Sequence, residues 1–259
     1  MALSADGVSM VLNEATSESA ARTASQFATT HWSVVLAAGD STSPGLREAL
    51  EKLCQTYWYP LYAFIRRKGY PPEDAKDCTQ AFFERFLEKH YVKDVVQEKG
   101  RFRTFLLTTL QRFLCDEFDH KTAAKRGGGV TIIPLDALEA EARLSQAAAT
   151  FQTPESIFEG AWAETVIQAC VERLRTECQA EGKAAQFDEL KQYLSRPADR
   201  AAYTATAQAL GLSADAVVMA VLRLRRRYRE MVRAEVANTV ATPAEIDDEM
   251  RYLVELLAR

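Results

Sequence analysis

Hydrophobic residues between Glu48 and Arg126 recur at the three-and-four spacing of amphipathic helices, and they predict three consecutive helices. The first predicted helix ends in a basic cluster before Gly69, a residue typical of helix C-termini. The second begins at the Pro71-Pro72 pair, with acidic residues in its first turn where the helix dipole favours them. The apolar face of the first helix consists of Leu46, Leu50, Leu53, Tyr57, Leu61, Phe64 and Ile65.

The second and third predicted helices each carry one apolar stripe. In the second helix the stripe consists of Ala75, Cys78, Phe82 and Phe86. The opposite, polar face of that helix carries Asp77, Gln80, Glu84 and Glu88. In the third helix, which begins near Arg103, the stripe consists of Leu106, Leu110, Phe113 and Leu114. Phe83 lies off the stripe of the second helix, so it is predicted to be partly surface, and Phe105 is predicted to be core.

These two helices resemble domain 2 of the bacterial extracytoplasmic-function sigma factors. The similar segments are PEDAKDCTQAFFERFLEK and FRTFLLTTLQRFLCDEF, and the matching residues are Asp74, Asp77, Gln80, Phe83, Arg85, Phe105, Leu106, Thr108 and Asp116. The chain departs from the family at Ala81, where an acidic residue is usual, and at Gln111-Arg112, where Arg-Asn is usual.

The resemblance implies two binding surfaces. The acidic-Gln-Phe motif of the family docks on the clamp helices of RNA polymerase β′, which assigns polymerase binding to Asp77, Gln80, Phe83 and Glu84. The third helix and the loop before it face the opened −10 element. The DNA-binding residues assigned there are Arg101, Arg103, Arg112, Lys121, Lys125 and Arg126. Tyr91, Phe102 and Phe105 are candidate rings for stacking on unpaired bases, although some of the three must be core and Phe105 is the first candidate for the core. The alternative interpretation of the loop at 90–101 is an ordinary surface connection between two helices.

Composition along the chain indicates domain boundaries. Residues 1–26 are rich in Ala, Ser and Thr without periodicity and predict a mobile tail. Residues 27–126 form the first predicted domain, with a short helix capped by Thr30 at its start. A triple glycine and an Ala/Gln/Thr-rich segment at 127–154 predict a linker to a second domain at 155–240.

The second domain ends in a predicted helix-turn-helix. A helix from about Glu155 to Cys178 and a shorter one near Leu190 precede it. Gly211 supplies the turn and Ser213 caps the following long helix. The apolar residues that hold this long helix to its domain are Val217, Val221, Leu224, Tyr228 and Met231. Its basic face consists of Arg223, Arg226 and Arg227, which face DNA or form a solvated helix face.

This helix-turn-helix is similar to sigma domain 4, which contacts the −35 element and the β flap of polymerase. The matching residues are Ala207, Leu210, Gly211, Leu212, Ser213, Val217, Leu224, Arg225 and Arg227. The family often has Lys, Ser and Arg where this chain has Val218, Met219 and Ala220, which cannot form hydrogen bonds to base edges.

Residues 241–259 predict a C-terminal helix with a capping box. The cap signals are Thr242, Pro243 and Glu245. The predicted apolar stripe consists of Ile246, Met250, Leu253, Val254 and Leu257, and it serves either for packing or for docking a partner.

Composition restricts the class of protein. Alternating apolar patterns are nearly absent from the 259 residues, which favours an all-α fold. The net charge, 32 − 36 = −4, is unlike that of a bulk nucleic-acid binder. The five cysteines are too widely spaced for a zinc site; Cys54, Cys78 and Cys115 are interpreted as core thiols, and the odd count suggests a reducing cytosol. No apolar run approaches bilayer length and no signal peptide is indicated, so a cytoplasmic location is expected.

Together these patterns predict two small helical domains joined by a flexible linker. The resulting hypothesis is a sigma-type initiation factor, not an enzyme and without cofactor or metal, that binds core RNA polymerase and promoter DNA under control of an anti-sigma factor or another regulator. The alternative is a sigma-fold interaction protein that binds polymerase or a regulator without reading a promoter. A third interpretation, a hydrolase using Asp116, Glu117, Asp119 and His120, lacks a second cluster of ligands or catalytic groups.

Overall fold

A computed structural model describes residues 44–88, 101–121, 137–195, 199–240 and 242–259. All regular structure within these ranges is helical, as predicted. The α-helices are α1 (Pro44–Arg67), α2 (Pro72–Glu88), α3 (Phe102–Lys121), α4 (Ala137–Thr150), α5 (Pro154–Ala180), α6 (Ala184–Leu190), α7 (Arg200–Leu210), α8 (Ala214–Ala237) and α9 (Ile246–Leu257). Short 3-10 helices occupy Lys191–Leu194 and Pro243–Glu245.

Some predicted features lie outside these ranges. They are the tail at 1–26, the short helix after Thr30, the loop at 90–100, and the side chains of Lys121, Lys125 and Arg126.

The described residues belong to two compact units. The N-terminal unit contains the described residues up to Thr165 together with Asn238–Pro243. The C-terminal unit contains Val166–Ala237 and Ala244–Arg259. The boundary therefore lies within α5, whereas the sequence pattern places it in the segment 127–154.

Most residues of the apolar faces predicted for α1, α2 and α3 lie in the core of the N-terminal unit, to which α5 adds Ile157, Phe158 and Trp162. Leu53, Tyr57, Leu61, Phe64 and Ile65 of α1 are buried, and so are all four residues of the predicted α2 stripe. The ring of Phe82 on α2 lies 5.6 Å from that of Phe113 on α3, edge to face. After α1 the chain turns at Gly69, whose φ of 97° lies in the left-handed region that glycine adopts without strain.

The segment expected to be linker contains α4, which packs against α1. Glu141 accepts hydrogen bonds from Tyr62 and Arg66 of α1. Arg143 places its guanidinium 3.8 Å from the centroid of the Tyr59 ring and forms an ion pair with Glu164 of α5 at 3.3 Å. These polar contacts anchor residues 137–150 within the N-terminal unit.

The C-terminal unit is organised around α8. Val217 and Val221 of α8 share a core with Leu190, Tyr193 and Ala207. Tyr228, Met231, Val232 and Val236 continue the buried face along the same helix. Val217, Val221, Tyr228 and Met231 are buried as predicted, and Leu224 is partly buried against the same core.

The C-terminal helix differs in detail from its prediction. A 3-10 turn occupies Pro243–Glu245, and α9 begins after it at Ile246, three residues later than the predicted first helical residue Pro243. The buried residues of α9 are Ile246, Glu249, Leu253 and Leu256. Met250, Val254 and Leu257 are only half-buried, because the helix is rotated relative to the predicted stripe.

The burial of the cysteines agrees with the prediction at two positions and differs at the third. Cys115 is exposed, which corrects its assignment as a core thiol, whereas Cys54 and Cys78 are buried.

In the described ranges no single helix is long and apolar enough to span a membrane. The bent pair α7 and α8 meets the criteria of length and composition only when the two helices are taken together.

Candidate functional site

The outer face of α2 presents the polar residues of the polymerase-binding prediction. Asp77 is exposed, and Gln80 and Glu84 are half-buried. Nε2 of Gln80 donates a hydrogen bond to Oε1 of Glu84 at 3.1 Å. Three of the four predicted residues therefore lie on one polar surface, each about one helical turn from the next.

Phe83, the fourth residue, belongs to the interior. Its side chain is fully buried, and its ring lies 5.7 Å from the ring of Phe82. Because α2 packs against both α1 and α3, its buried face is wider than the single stripe in the sequence. Phe83 is therefore a core residue and not part of a docking surface.

Residues of the two sigma-like motifs meet between α2 and α3. Arg85 lies 3.8 Å from the carboxylate of Asp116 and stacks its guanidinium 5.7 Å from the centroid of the Phe113 ring. The motif on α2 and the motif on α3 are thus adjacent in space. Both contribute to one side of the N-terminal unit.

Among the side chains of α3 that the structure describes, which end at Asp116, the exposed side carries one basic residue and two hydroxyl groups. Thr104, Thr108, Arg112 and Asp116 recur every four residues and are exposed. Arg101 precedes the helix and is half-buried. Of the predicted basic residues, Arg112 and Arg101 are therefore accessible to a ligand.

Arg103, predicted to bind DNA, is instead part of the core. Only 1% of its side chain is exposed, and Nε donates to Oε2 of Glu159 at 2.5 Å. Its guanidinium also lies 4.3 Å from the centroid of the Trp162 ring. Burial raises the pKa of the Glu159 carboxyl, against the opposing charge of Arg103. Arg103 connects α3 to α5 and is not available to DNA.

The structure reverses the predicted burial of Phe102 and Phe105, the two phenylalanines in the first turn of α3. Phe102 is fully buried, 5.4 Å from the ring of Tyr57, and its backbone N–H donates to the carbonyl of Thr239 at 3.1 Å. Phe105 is half-buried. Of the two rings, Phe105 is therefore the one that is accessible for stacking on a base, although the sequence predicts that it belongs to the core.

In the C-terminal unit, α7 and α8 are joined by a three-residue turn, 211–213, and their axes differ by 99°. Asp199 caps α7 by accepting a hydrogen bond from the N–H of Ala202 at 2.8 Å. Gly211 ends α7 with a left-handed φ of 64°, and Ser213 accepts a hydrogen bond from the N–H of Ala216 at 3.2 Å. The turn therefore forms as its glycine and serine predict.

The arginines of α8 differ in their surroundings. Arg227 donates two hydrogen bonds to Glu177, at 2.9 and 2.7 Å, and these lower the pKa of the Glu177 carboxyl. Arg226 donates to Glu230 at 3.2 Å. Arg223 is exposed and has no ion-pair partner within the described residues. A polyanion would thus bind Arg223 without displacing another group. To bind Arg226 or Arg227, it would have to displace a glutamate.

The start of α8 differs from the sequence-based picture. Of the three apolar residues at 218–220, Val218 is half-buried, Ala220 is buried, and only Met219 is largely exposed, at 51%. Leu222 is 49% exposed and Leu212 is 42% exposed. Sequence reasoning missed Leu222, because an apolar residue within a helical repeat is normally assigned to the core.

No metal site emerges from the part of the chain that the structure describes. There, no group of three or more His, Cys, Asp or Glu side chains is positioned to hold a metal ion. Asp116 is exposed, and the side chains at 117–120 lie outside the described residues.

Comparison of the chain with models of known protein families, with curated proteins and with solved structures found no match. The function is therefore inferred from the site residues themselves.

Proposed function

We propose that this chain is a sigma-type transcription initiation factor. In this proposal the outer face of α2, with Asp77, Gln80 and Glu84, binds core RNA polymerase. The exposed side of α3 contacts promoter DNA near the start site, and the α7–α8 pair anchors DNA upstream. Such a factor acts in the cytoplasm, where the polymerase is.

The observation that carries the proposal is the geometry of α7 and α8. Two helices at 99°, joined by three residues that include a left-handed glycine, have the plan of a DNA-binding helix-turn-helix. In that plan the second helix enters the major groove. Its exposed side here carries Arg223 and Arg226, whose guanidinium groups bind phosphate at any sequence.

The N-terminal unit supports the proposal independently. Asp77 and Glu84 give α2 an acidic outer face, and Arg85 brings this helix next to Asp116 on α3. The residues of both sigma-like motifs therefore belong to neighbouring helices. A polymerase-binding face and a DNA-binding face on adjacent helices suit a factor that couples the two.

The alternative is an interaction protein that binds polymerase or a regulator without reading a promoter. Two observations favour it: exposed apolar residues on α8, and the engagement of Arg226 and Arg227 by glutamates. Both reduce the capacity of α8 to form hydrogen bonds with base edges. We prefer the initiation factor because surface ion pairs are worth only about 0–1 kcal/mol and exchange readily for phosphate contacts.

Transcription with purified components tests the two functions. The full chain is mixed with bacterial core RNA polymerase and a library of genomic DNA fragments, and the 5′ ends of the transcripts are sequenced. An initiation factor yields discrete start sites that depend on the chain. Binding to core polymerase without new start sites supports the interaction protein. No binding to core polymerase rejects the initiation factor and leaves a regulator as the partner of the interaction protein.

A further inference from the structure

The exposed side of α8 forms a narrow stripe. Each of its members has another member three or four residues away, so they share one helical face: Asp215, Met219, Leu222, Arg223, Arg226 and Glu230. This outer stripe lies opposite the buried residues Val217, Val221 and Tyr228. Any ligand that α8 meets along its length must contact this stripe.

The outer stripe combines apolar and basic side chains in a fixed order. Met219 and Leu222 are, with Leu212, the large hydrophobic residues that remain exposed among those described. Each is followed four residues later by an exposed arginine, Arg223 and Arg226 respectively. The apolar groups occupy the half nearer the turn, and the arginines follow them toward the C-terminus.

We infer that Met219 and Leu222 recognise thymine through the methyl group on C5 of the base. The inference rests on the proposed function, in which α8 lies in the major groove. The thymine methyl is the apolar group that base edges present there, so it is the natural partner for exposed apolar side chains. The adjacent arginines bind the flanking phosphates.

The spacing of the two side chains suits this role. Residues three apart along an α-helix are separated by about 4.5 Å of rise, and stacked base pairs by about 3.4 Å. Met219 and Leu222 can therefore reach methyl groups on neighbouring base pairs. Arg223 and Arg226 place positive charge next to the apolar pair, whereas the acidic members of the stripe, Asp215 and Glu230, lie at its two ends. The centre of the stripe therefore matches a phosphate backbone, which favours DNA over an apolar protein partner as the occupant.

The inference specifies what the C-terminal unit can distinguish. Thymine at one or two upstream positions is favoured over cytosine and over uracil, because only thymine carries the methyl group. Guanine and adenine are not distinguished by hydrogen bonds, since Met and Leu side chains have no donors. The upstream element is then short and rich in A·T pairs.

The test replaces thymine by uracil, which removes the methyl group and keeps every hydrogen-bonding group. Duplexes that the polymerase complex of the full chain enriches from a random pool are synthesised with thymidine or with deoxyuridine in the upstream region. The expected loss of affinity is about three- to fivefold for each methyl contacted, from the burial of one carbon group. Placing 5-methylcytosine at a contacted position should recover affinity relative to cytosine.

Two variants assign the effect to the outer stripe. The double variant Met219→Gln with Leu222→Gln should bind thymidine and deoxyuridine duplexes equally and keep its salt dependence. The matched control, Met219→Leu with Leu222→Met, keeps two apolar side chains and should retain the preference for thymidine. Because both sites are exposed, neither double variant is expected to unfold the chain.

Other outcomes overturn the inference. Equal affinity of the unaltered chain for both duplexes, with chain-dependent initiation intact, rejects thymine reading but not the initiation factor. Unchanged DNA binding by the glutamine variant, with weaker binding to core polymerase or a changed oligomeric state, assigns the stripe to a protein partner. The absence of both upstream DNA binding and initiation rejects the proposed function itself.

Discussion

Arg66 holds Glu141 through two parallel hydrogen bonds, from Nε to Oε1 at 2.6 Å and from Nη2 to Oε2 at 2.7 Å. The hydroxyl of Tyr62 donates to the same carboxylate at 2.5 Å. Residues 66 and 141 come from α1 and α4, so one carboxylate fixes a segment that composition alone predicts to be linker. The bidentate geometry restricts the orientation of α4 more than a single contact would.

Replacing Glu141 by Gln should loosen α4 without unfolding α1–α3. The neutral amide loses the charge-assisted pair, which is worth about 1 kcal/mol because both side chains are partly exposed. Amide hydrogen exchange in residues 137–150 should become about fivefold faster. Glu139→Gln is the matched control, since Glu139 is exposed and forms no ion pair within the described residues. Unchanged exchange in Glu141→Gln would contradict the anchoring role.

The same pair makes the stability of the N-terminal unit depend on pH. Hydrogen bonds from Arg66 lower the pKa of Glu141 below its ordinary value of 4.5. A carboxyl whose pKa falls on folding stabilises the fold above its unfolded pKa, and this contribution is lost as the pH falls through the lowered value. The difference in unfolding free energy between the unaltered chain and Glu141→Gln should be constant near neutral pH and shrink below about pH 4.5. Urea titrations across this range measure it. A difference independent of pH would show that the carboxylate is not ionised in the pair.

The helices of the core follow from the sequence because their burial is periodic. Leu53, Tyr57 and Phe64 lie on one face of α1, and Val217 and Tyr228 lie on one face of α8. Local spacing determines which side of such a helix is apolar, whatever it packs against. The turn at Gly211 is likewise local, since it depends on one left-handed residue and one cap.

The residues that the sequence misassigned depend on distant parts of the chain. Arg103 is buried because Glu159 and Trp162, on another helix, surround its guanidinium. No sequence pattern within α3 predicts that Arg103 contacts Glu159 and Trp162. α4 was missed because the Ala- and Gln-rich segment has few large apolar residues, and its position depends on the Arg66–Glu141 pair. Leu222 is the opposite case to Arg103: it is an apolar residue that is exposed, although helical spacing predicts its burial.

The two arginines of α3 should respond to mutation in opposite ways. Arg103→Met leaves the carboxylate of Glu159 buried without its partner and should cost about 3–5 kcal/mol of unfolding free energy. Adding Glu159→Leu should restore much of that loss, because an apolar pair of similar volume can replace a buried ion pair. Arg112→Ala should change stability by less than about 0.5 kcal/mol and instead weaken promoter binding, since Arg112 is exposed. Equal stability of Arg103→Met and Arg112→Ala in thermal unfolding would contradict this assignment.

Polymerase binding should depend on the polar residues of α2 and not directly on Phe83. Asp77→Ala combined with Gln80→Ala should weaken binding to core RNA polymerase at unchanged thermal stability. Phe83→Ala should instead cost about 3–5 kcal/mol of stability, because it leaves a cavity in the core. Glu73→Ala, in the first turn of the same helix and exposed, is the control that should leave binding intact. Normal affinity of the double variant in a titration with core polymerase would remove α2 as the docking face.

Charges on α8 should set the salt dependence of upstream DNA binding. Each phosphate contact contributes about 0.9 to the slope of log affinity against log salt concentration. Arg223→Ala with Arg226→Ala should therefore flatten the slope by roughly 2 if both bind phosphate. Glu230→Gln should act in the opposite direction, because Glu230 lies 3.2 Å from Arg226 and 3.5 Å from Arg227 and competes with phosphate for both.

Matched exposed residues on α9 and just after it provide the controls for this prediction, since Arg251→Ala with Arg259→Ala, and Glu255→Gln, change the net charge by the same amounts at another site. If charge near α8 matters only through the total field of the protein, the α9 variants will shift the slope as much as the α8 variants do. If the arginines of the outer stripe contact phosphate directly, only the α8 variants will change it. Equal slopes for the unaltered chain and Arg223→Ala with Arg226→Ala, measured with the polymerase complex from low to moderate salt, would leave α8 without a phosphate contact and favour a protein partner for that face.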